Sequence, residues 1–240
     1  MTGLYRSAGR TDPGKVRVRN EDAFLNSPER GLWAVADGMG GHQRGDLASR
    51  LIVDSLWALP AEGDFSQRLE RLRSCLHWLN RRFSQELTAT PQRQDTTVGS
   101  TVVALLVVEN KLACVWAGDS RCYLWRGNRL YQLSRDHSLL EHLVTQQQMS
   151  LREAALHPCA HALTRAVGAN EHLSLDILEL QPQPGDVFLL CSDGLYQGLS
   201  SEAVSQSLGL TSPQAALERL FECALRGPAP DNLTAVVIRL

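Results

Sequence analysis

The chain has 240 residues and a formal net charge of −2 at pH 7, with 24 Lys and Arg against 26 Asp and Glu. Because no basic run stands out, the composition argues against a nucleic-acid-binding protein and against a polybasic membrane anchor. The N-terminus lacks the apolar stretch of a signal peptide, and the longest apolar run, 102–108, is too short to cross a bilayer.

The sequence also predicts the domain organisation, the state of the cysteines and the oligomeric state. No linker, internal repeat or low-complexity tract interrupts the sequence, so a single domain over residues 1–240 is expected. Six widely spaced cysteines with no C-x-x-C pair predict reduced core thiols in a cytoplasmic protein. A monomer is expected, since no heptad or leftover apolar stripe suggests a partner subunit.

Short strands dominate the predicted elements. In chain order, the patterns predict a strand at 32–37, helices at 46–59 and 66–87, strands at 101–108, 111–119, 121–125, 173–180 and 187–193, a helix from Pro213 to Gly227, and a strand at 234–240. Asp64 and Gln67 form a capping box at the second helix, and Glu109-Asn110 and Gly127-Asn128 predict hairpin turns. Consecutive helices and frequent hairpins favour antiparallel sheets with helices packed outside.

Acidic residues recur at the edges of the predicted strands. Asp37, Asp119 and Asp193 each end an apolar run, Asp231 stands just before the last strand, and Asp22 precedes another apolar segment. A single Asp-Gly pair is most simply a turn, but repeated carboxylates at core-strand ends are costly unless positive charge meets them. Since the chain supplies few cations there, the pattern predicts hard divalent ions, which prefer oxygen ligands.

The segment after Asp37 is rich in glycine, which allows the backbone to approach a site closely; its glycines are Gly38, Gly40, Gly41 and Gly45. A phosphate-binding P-loop is disfavoured because Asp46-Leu47 stands where that motif has Lys followed by Ser or Thr. A dinucleotide fingerprint is disfavoured because Gln43 replaces its third glycine. The loop therefore favours a metal site.

Eight fragments in register over almost the whole chain resemble the metal-dependent protein serine/threonine phosphatases of the phosphatase 2C (PPM) family, of the bacterial type that consists of the catalytic domain alone. They are RVRNEDA (17–23), VADGMGGHQRGDLAS (35–49), TTVGSTVV (96–103), WAGDSRCY (116–123), LSRDHSLL (133–140), LTRAVG (163–168), LLCSDGLYQGLS (189–200) and DNLTAVVI (231–238). The resemblance implies an α+β fold in which two antiparallel β-sheets pack as a sandwich flanked by α-helices, in α-β-β-α layers.

The resemblance also implies two divalent ions, Mn²⁺ or Mg²⁺, and a metal set comprising Glu21, Asp22, Asp37, Gly38, Asp119, Asp193 and Asp231. Asp37 would bridge the two ions, and the carbonyl of Gly38 would ligate one of them. Asp193 and Asp231 would complete the first metal site. These expectations come from matching motifs residue by residue.

Further roles follow from the same matching. Asp22 and Glu21 would hold metal-bound waters or ligate weakly, and Asp119 matches the ligand of a third, looser ion. Arg17 matches the arginine that binds the substrate phosphate, which a planar guanidinium does with two hydrogen bonds. His42 is the candidate general acid. Two alternatives stay open: His42 fixes the loop, or metal-bound water acts as the acid.

The implied activity is hydrolysis of phosphoserine and phosphothreonine in proteins, opposing a bacterial Ser/Thr kinase. Two ions about 3.5–4 Å apart can hold a bridging hydroxide that attacks phosphorus in line. The alternative is a non-catalytic phosphoprotein-binding module on the same fold, which the complete set of acids disfavours. A cysteine-nucleophile phosphatase is disfavoured because no cysteine precedes a glycine-rich loop ending in arginine.

Residues 138–163 match the variable flap of the family, where contacts with the substrate protein are expected. A capping box at Ser150 and Glu153 predicts a helix within it. His157 and His161 have i,i+4 spacing, but Pro158 argues against a continuous helix, so both are interpreted as surface or flap residues. His137 is interpreted as structural.

Overall fold

The structure is a computed structural model that describes residues 5–40, 44–87 and 98–240. Its strands are β1 (Arg6–Asp12), β2 (Asp22–Ser27), β3 (Leu32–Met39), β4 (Gly99–Ser100), β5 (Val102–Val108), β6 (Lys111–Ala117), β7 (Arg121–Arg126), β8 (Arg129–Gln132), β9 (Asp176–Leu180), β10 (Val187–Cys191) and β11 (Leu233–Arg239). Its α-helices are α1 (Gly45–Trp57), α2 (Phe65–Arg82), α3 (Leu139–Gln146), α4 (Leu151–Ala155), α5 (Asp193–Tyr196), α6 (Ser201–Leu208) and α7 (Pro213–Arg226). A 3-10 helix at Pro28–Arg30 and a π-helix at Phe83–Leu87 complete the described elements.

The strands form two antiparallel sheets. The first has the order β1-β11-β10-β7-β8, and the second has the order β2-β3-β5-β6-β9 with β4 paired to β3. The predicted hairpins are present: Glu109 and Asn128 have φ values of 55° and 61°, the left-handed conformation that tight hairpin turns require. The antiparallel arrangement predicted from the sequence is confirmed.

Strand β3 shows how the layers form. Its side chains alternate between two faces, as in any strand. Trp33 and Val35 join the apolar cluster between the sheets, whereas Ala34 and Ala36 join the cluster under the helices. All four are fully buried, so both faces of this strand are covered.

Three apolar clusters correspond to the three interfaces of the sandwich. The middle cluster includes Trp33 and Phe188, one from each sheet. Helices α1 and α2 pack on the outer face of the second sheet, and α6 and α7 pack on the outer face of the first, as Ile52 and Phe221 illustrate. The α-β-β-α order expected from the resemblance is therefore confirmed.

Two predicted elements need corrected bounds, and strand β1 is a further difference. The strand predicted at 173–180 is regular only over Asp176–Leu180, and the helix predicted at 66–87 becomes a π-helix after Arg82. Strand β1 is not predicted, because among its seven residues only Ala8 is buried. It forms nonetheless, by pairing along its whole length with β11.

One local expectation holds, and a second holds in part. The Asp64–Gln67 capping box forms, with the Gln67 backbone N–H donating to Asp64 at 2.9 Å and the Asp64 N–H donating to the Gln67 side chain at 3.2 Å. The six cysteines are free thiols, but the predicted core location is correct only for Cys114, Cys122 and Cys191; the others are half-buried or, at Cys159, exposed. Among the described helices, none combines the length and the apolar content that a membrane span requires.

Candidate metal centre and active-site cleft

Ends of strands from both sheets meet at one cleft with a volume of about 530 Å³. Strand β3 carries Asp37 into it, the turn after β6 carries Asp119, and the start of α5 carries Asp193. Of the residues predicted for the site, those that line this cleft are Arg17, Glu21, Asp37, Gly38, Asp119, Asp193 and Asp231. Asp22 lies outside this lining, and His42 lies outside the described residues.

Asp22 and Asp37 face each other on neighbouring strands. They are direct partners in the antiparallel register of β2 and β3, and Asp22 is 8% exposed. Burial raises the pKa of Asp22 to about 6, although the hydroxyl of Ser192 donates a 2.8 Å hydrogen bond to it. Burial, followed by repulsion from Asp22, holds the pKa of Asp37 well above its usual range. A cation placed next to this pair would therefore stabilise its charged form.

The other acids show the same electrostatics. Burial and then repulsion from Asp193 raise the pKa of Asp119 to about 7. Burial and then repulsion from Asp231 raise the pKa of Asp193. Among the described residues lining the cleft, Arg17 is the sole Lys or Arg. Its guanidinium donates to Asp231 at 2.8 Å, so one Arg side chain faces five carboxyl groups among the described lining residues.

This donor set fits hard divalent ions. Carboxylates and a backbone carbonyl are the oxygen ligands that Mg²⁺ and Mn²⁺ prefer, and their mutual repulsion shows that positive charge would stabilise the ionised forms. Within the described ranges, no three His, Cys, Asp or Glu side chains form a group able to hold a metal by themselves. Since Mg²⁺ usually keeps several waters and binds one or two carboxylates, an open cleft of this kind suits it.

Gly38 has no room for a side chain. A Cβ atom there would lie 2.1 Å from the carbonyl oxygen of Gly45 and 2.6 Å from that of Glu21. The Gly38 N–H donates to the same Glu21 carbonyl at 3.1 Å. Gly38 therefore allows three backbone segments to pack closely beside the carboxylates, whereas the close approach of this backbone to a metal site stays a prediction.

The backbone of Asp37 is fixed by two residues that sequence reasoning missed. The Thr101 N–H and the Ser100 hydroxyl both donate to the Asp37 carbonyl at 2.9 Å, and the Asp37 N–H donates to the Thr101 hydroxyl at 3.1 Å. Thr101 is within hydrogen-bond distance of the Ser120 hydroxyl, 2.8 Å away. The family-like fragment TTVGSTVV contained the signal for these contacts.

Asn232 is a further residue whose role the sequence did not reveal. Its amide nitrogen donates to the carbonyls of Pro13 and Arg19 at 3.1 and 2.9 Å, and its amide oxygen accepts from the Glu21 N–H at 2.8 Å. These bonds tie both ends of the loop between β1 and β2. Because that loop carries Arg17, Asn232 fixes the backbone on both sides of this residue beside the cleft.

The segment 138–163 contributes to one side of the cleft. His161 and Leu163 line it, and His161 is exposed as the sequence interpretation expects. Its position at the cleft was not anticipated, since the spacing of the two histidines carries no information about distant residues. The capping box at Ser150 and Glu153 forms.

Comparison with known proteins agrees with the family resemblance noted in the sequence. The family model described as Protein phosphatase 2C matches residues 15–232. The chain is 34% identical to the serine/threonine protein phosphatase PstP of Mycobacterium tuberculosis over 237 residues, which are 99% of this chain but 45% of PstP. The chain therefore spans less than half the length of this relative.

Solved structures are similar over nearly their whole length. PppA, described as a key regulatory component of T6SS in Pseudomonas aeruginosa, is 43% identical with a TM-score of 0.90, covering 99% of this chain and 98% of its own. The catalytic domain of PstP in complex with two manganese ions is 33% identical with a TM-score of 0.81, covering 98% of this chain and 97% of its own.

Proposed function

Because this chain belongs to the protein phosphatase 2C family, we propose that it hydrolyses phosphoserine and phosphothreonine in proteins with the help of two divalent ions, Mn²⁺ or Mg²⁺. The observation that carries the proposal is the group of half-buried carboxylates that both sheets bring to one cleft, among them Asp37 and Asp119 with raised pKa values, and one arginine beside them. A purely structural sandwich has no reason to concentrate such charge at one end.

Asp37, the Gly38 carbonyl, Asp193 and Asp231 would hold the two ions. Bound ions of this kind supply an activated water nucleophile and neutralise the charge of the phosphoryl oxygens. The buried carboxylate of Asp22 and the side chain of Glu21 would orient coordinated waters, and Asp119 would hold a third, weaker ion. His42 as general acid remains a prediction, as does its loop-fixing alternative.

Arg17 would bind the substrate phosphate. Its side chain is 55% exposed and reaches the cleft through its bond to Asp231, so it can turn toward a ligand at little cost in packing. A guanidinium presents paired N–H donors that match two phosphate oxygens. Since Asn232 anchors the loop on both sides of Arg17, a phosphate bound by Arg17 would lie beside the carboxylates.

A protein substrate suits the surroundings of Arg17. Val16 and Val18 flank it with 67% and 98% of their surface exposed, which offers apolar contact to residues next to a phosphorylated side chain. The segment 138–163 borders the cleft through His161 and would act as the substrate-contacting flap. Within this proposal the chain is a single domain, acts as a cytoplasmic monomer and opposes a bacterial Ser/Thr kinase.

The experiment is release of phosphate from a phosphothreonine peptide with Mn²⁺, with a chelator, and with Asp193→Asn. We expect Mn²⁺-dependent release that the chelator abolishes. The substitution is expected to lower kcat by at least about 100-fold, the scale on which a key electrostatic group acts. Glu202→Gln, on the exposed start of α6, is the matched control and keeps full activity.

The alternative, a non-catalytic phosphoprotein-binding module, predicts a different result. The folded protein would then bind the phosphopeptide without releasing phosphate under any metal, and Asp193→Asn would leave that binding intact. This outcome would refute the catalytic proposal.

A further inference from the structure

The turn that carries Asp119 is held on both sides by two consecutive residues. The Gly118 N–H donates to Nδ1 of His137 at 3.1 Å, and the His137 N–H donates to the Gly118 carbonyl at 2.9 Å. On the other side of Asp119, Arg121 donates to both carboxylate oxygens of Asp136 at 2.8 and 2.7 Å. Asp119 is thus placed between two fixed neighbours.

The conformation at Gly118 explains why the contact from His137 matters. Gly118 has a φ of +119°, and a Cβ atom there would lie 2.5 Å from Cβ of Thr101. This backbone is available to glycine at no steric cost, and glycine is also the residue with the most freedom to leave it. The two hydrogen bonds to His137 restrain that freedom at the residue directly before Asp119.

The imidazole ring of His137 is itself immobilised. It is 7% exposed and stacks on Trp116 with the ring centroids 6.1 Å apart. Because Nδ1 accepts the Gly118 N–H, the network assigns the ring proton to Nε2, which lies 3.2 Å from the carboxylate of Asp176. Arg165 donates to the other oxygen of Asp176 at 2.8 Å.

His137 also stands at the base of the segment 138–163. The Thr164 N–H donates to the His137 carbonyl at 2.8 Å, and Ser138 and Leu163 form an antiparallel bridge that closes the segment. Leu163 lines the cleft. The residue that fixes the Asp119 turn is therefore the same residue at which the two ends of the proposed flap meet.

We propose that His137 is a positioning residue, whose Nδ1 acceptor sets the direction of Asp119 and joins the Asp119 turn to the base of the segment 138–163. The proposal rests on the proposed function, because it gives Asp119 a metal ion to bind. His137 does not line the cleft, so its proposed action is indirect, through Gly118.

Three substitutions separate positioning from general stability. Asn places an amide oxygen where Nδ1 stands, so it keeps an acceptor for the Gly118 N–H. Gln places its amide at the Nε2 position and so loses the acceptor for Gly118. Leu has no polar group at either position. We expect His137→Gln and His137→Leu to weaken Mn²⁺ binding at the low-affinity site about tenfold, the order expected when a buried N–H loses its partner. We expect His137→Asn to change the Mn²⁺ affinity of this site by no more than about threefold.

The measurement is Mn²⁺ binding by titration calorimetry, with the Mn²⁺ concentration for half-maximal peptide hydrolysis measured in parallel. Thermal unfolding in a chelator reports on stability, and His172→Leu, at an exposed histidine, is the control that leaves both readouts unchanged. In the Asp119→Asn background, His137→Leu is expected to add no further loss of Mn²⁺ affinity, since both changes act on one ligand.

Two results would overturn the proposal. If Asn, Gln and Leu weaken Mn²⁺ binding equally or only in proportion to their loss of thermal stability, His137 is structural alone. If the losses from His137→Leu and Asp119→Asn add, the two residues do not act through one site. A wild-type protein that binds Mn²⁺ but releases no phosphate would refute the proposed function while the calorimetric comparison still decides the role of His137.

Discussion

The side chain of Arg17 is exposed, whereas its loop is anchored by Asn232. At the scale of single residues, Arg17 therefore gives the clearest test of the proposed function. Its guanidinium lies 2.8 Å from Asp231, with the side chain 55% exposed, so its replacement removes little packing. Arg17→Lys keeps the charge but loses the planar pair of donors. We expect kcat/KM for a phosphopeptide to fall about tenfold or more, the scale of a charged hydrogen bond, while the midpoint of thermal unfolding stays within about 2 °C.

Steady-state kinetics at saturating Mn²⁺ would measure this effect. The parallel substitution Arg50→Lys on α1, outside the cleft lining, serves as the control. Equal kcat/KM for Arg17→Lys and wild type would show that Arg17 acts only as a point charge.

At the scale of elements, the β2–β3 pair places Asp22 opposite Asp37 in the register, and this has a consequence for stability. The pKa of Asp22 in the folded protein is about 6, against an ordinary value of 3.8. The folded state therefore binds more protons than the unfolded state between these values, so its free energy of unfolding decreases as the pH rises through about 4 to 6. The metal-free protein should be more stable at pH 5 than at pH 7.

Urea unfolding in a chelator at several pH values would measure this dependence. Asp22→Asn removes one of the carboxyl groups with a raised pKa and should reduce the loss of stability over that pH range, whereas Asp54→Asn on the exposed face of α1 should not. A metal-free protein whose stability rises steadily from pH 4 to pH 7 would contradict the expectation.

At the scale of the whole molecule, the cleft joins the proposed metal ligands from opposite sheets: β3 brings Asp37, and the residues beside β10 and β11 bring Asp193 and Asp231. Ions bound between them would hold the two sheets together and bind the folded chain alone. At about 100 times its dissociation constant, a ligand of that kind stabilises a protein by about 2.7 kcal/mol. We expect Mn²⁺ to raise the free energy of unfolding by this order.

Denaturant unfolding with and without Mn²⁺ measures that increment. It should largely disappear in Asp193→Asn and persist in Glu202→Gln. An equal increment in all three proteins would mean that Mn²⁺ binds elsewhere.

Much of the fold and of the candidate site could be predicted because the signals are local. The capping box at Asp64 marks the start of α2 within four residues of sequence, and apolar runs ending in Asp37 or Asp193 mark strand ends beside carboxylates. Strand β1 could not be found in this way. Its sequence has little apolar alternation, and its place depends on hydrogen bonds to β11, whose residues lie more than 200 positions away.

The sequence by itself determined which residue types reach the cleft and the antiparallel sheets with helices outside them. Through the matched fragments it also determined the family and, with it, the layered sandwich. The tertiary structure alone decided that Asp22 is buried behind the cleft lining, that Asn232 fixes the Arg17 loop, and that His137 holds the Asp119 turn. The physical reason is the separation along the chain over which each interaction acts. Strand periodicity and capping act between neighbours along the chain, whereas the Asn232 amide bonds a carbonyl 213 residues away, and such a contact exists only after both sheets have packed.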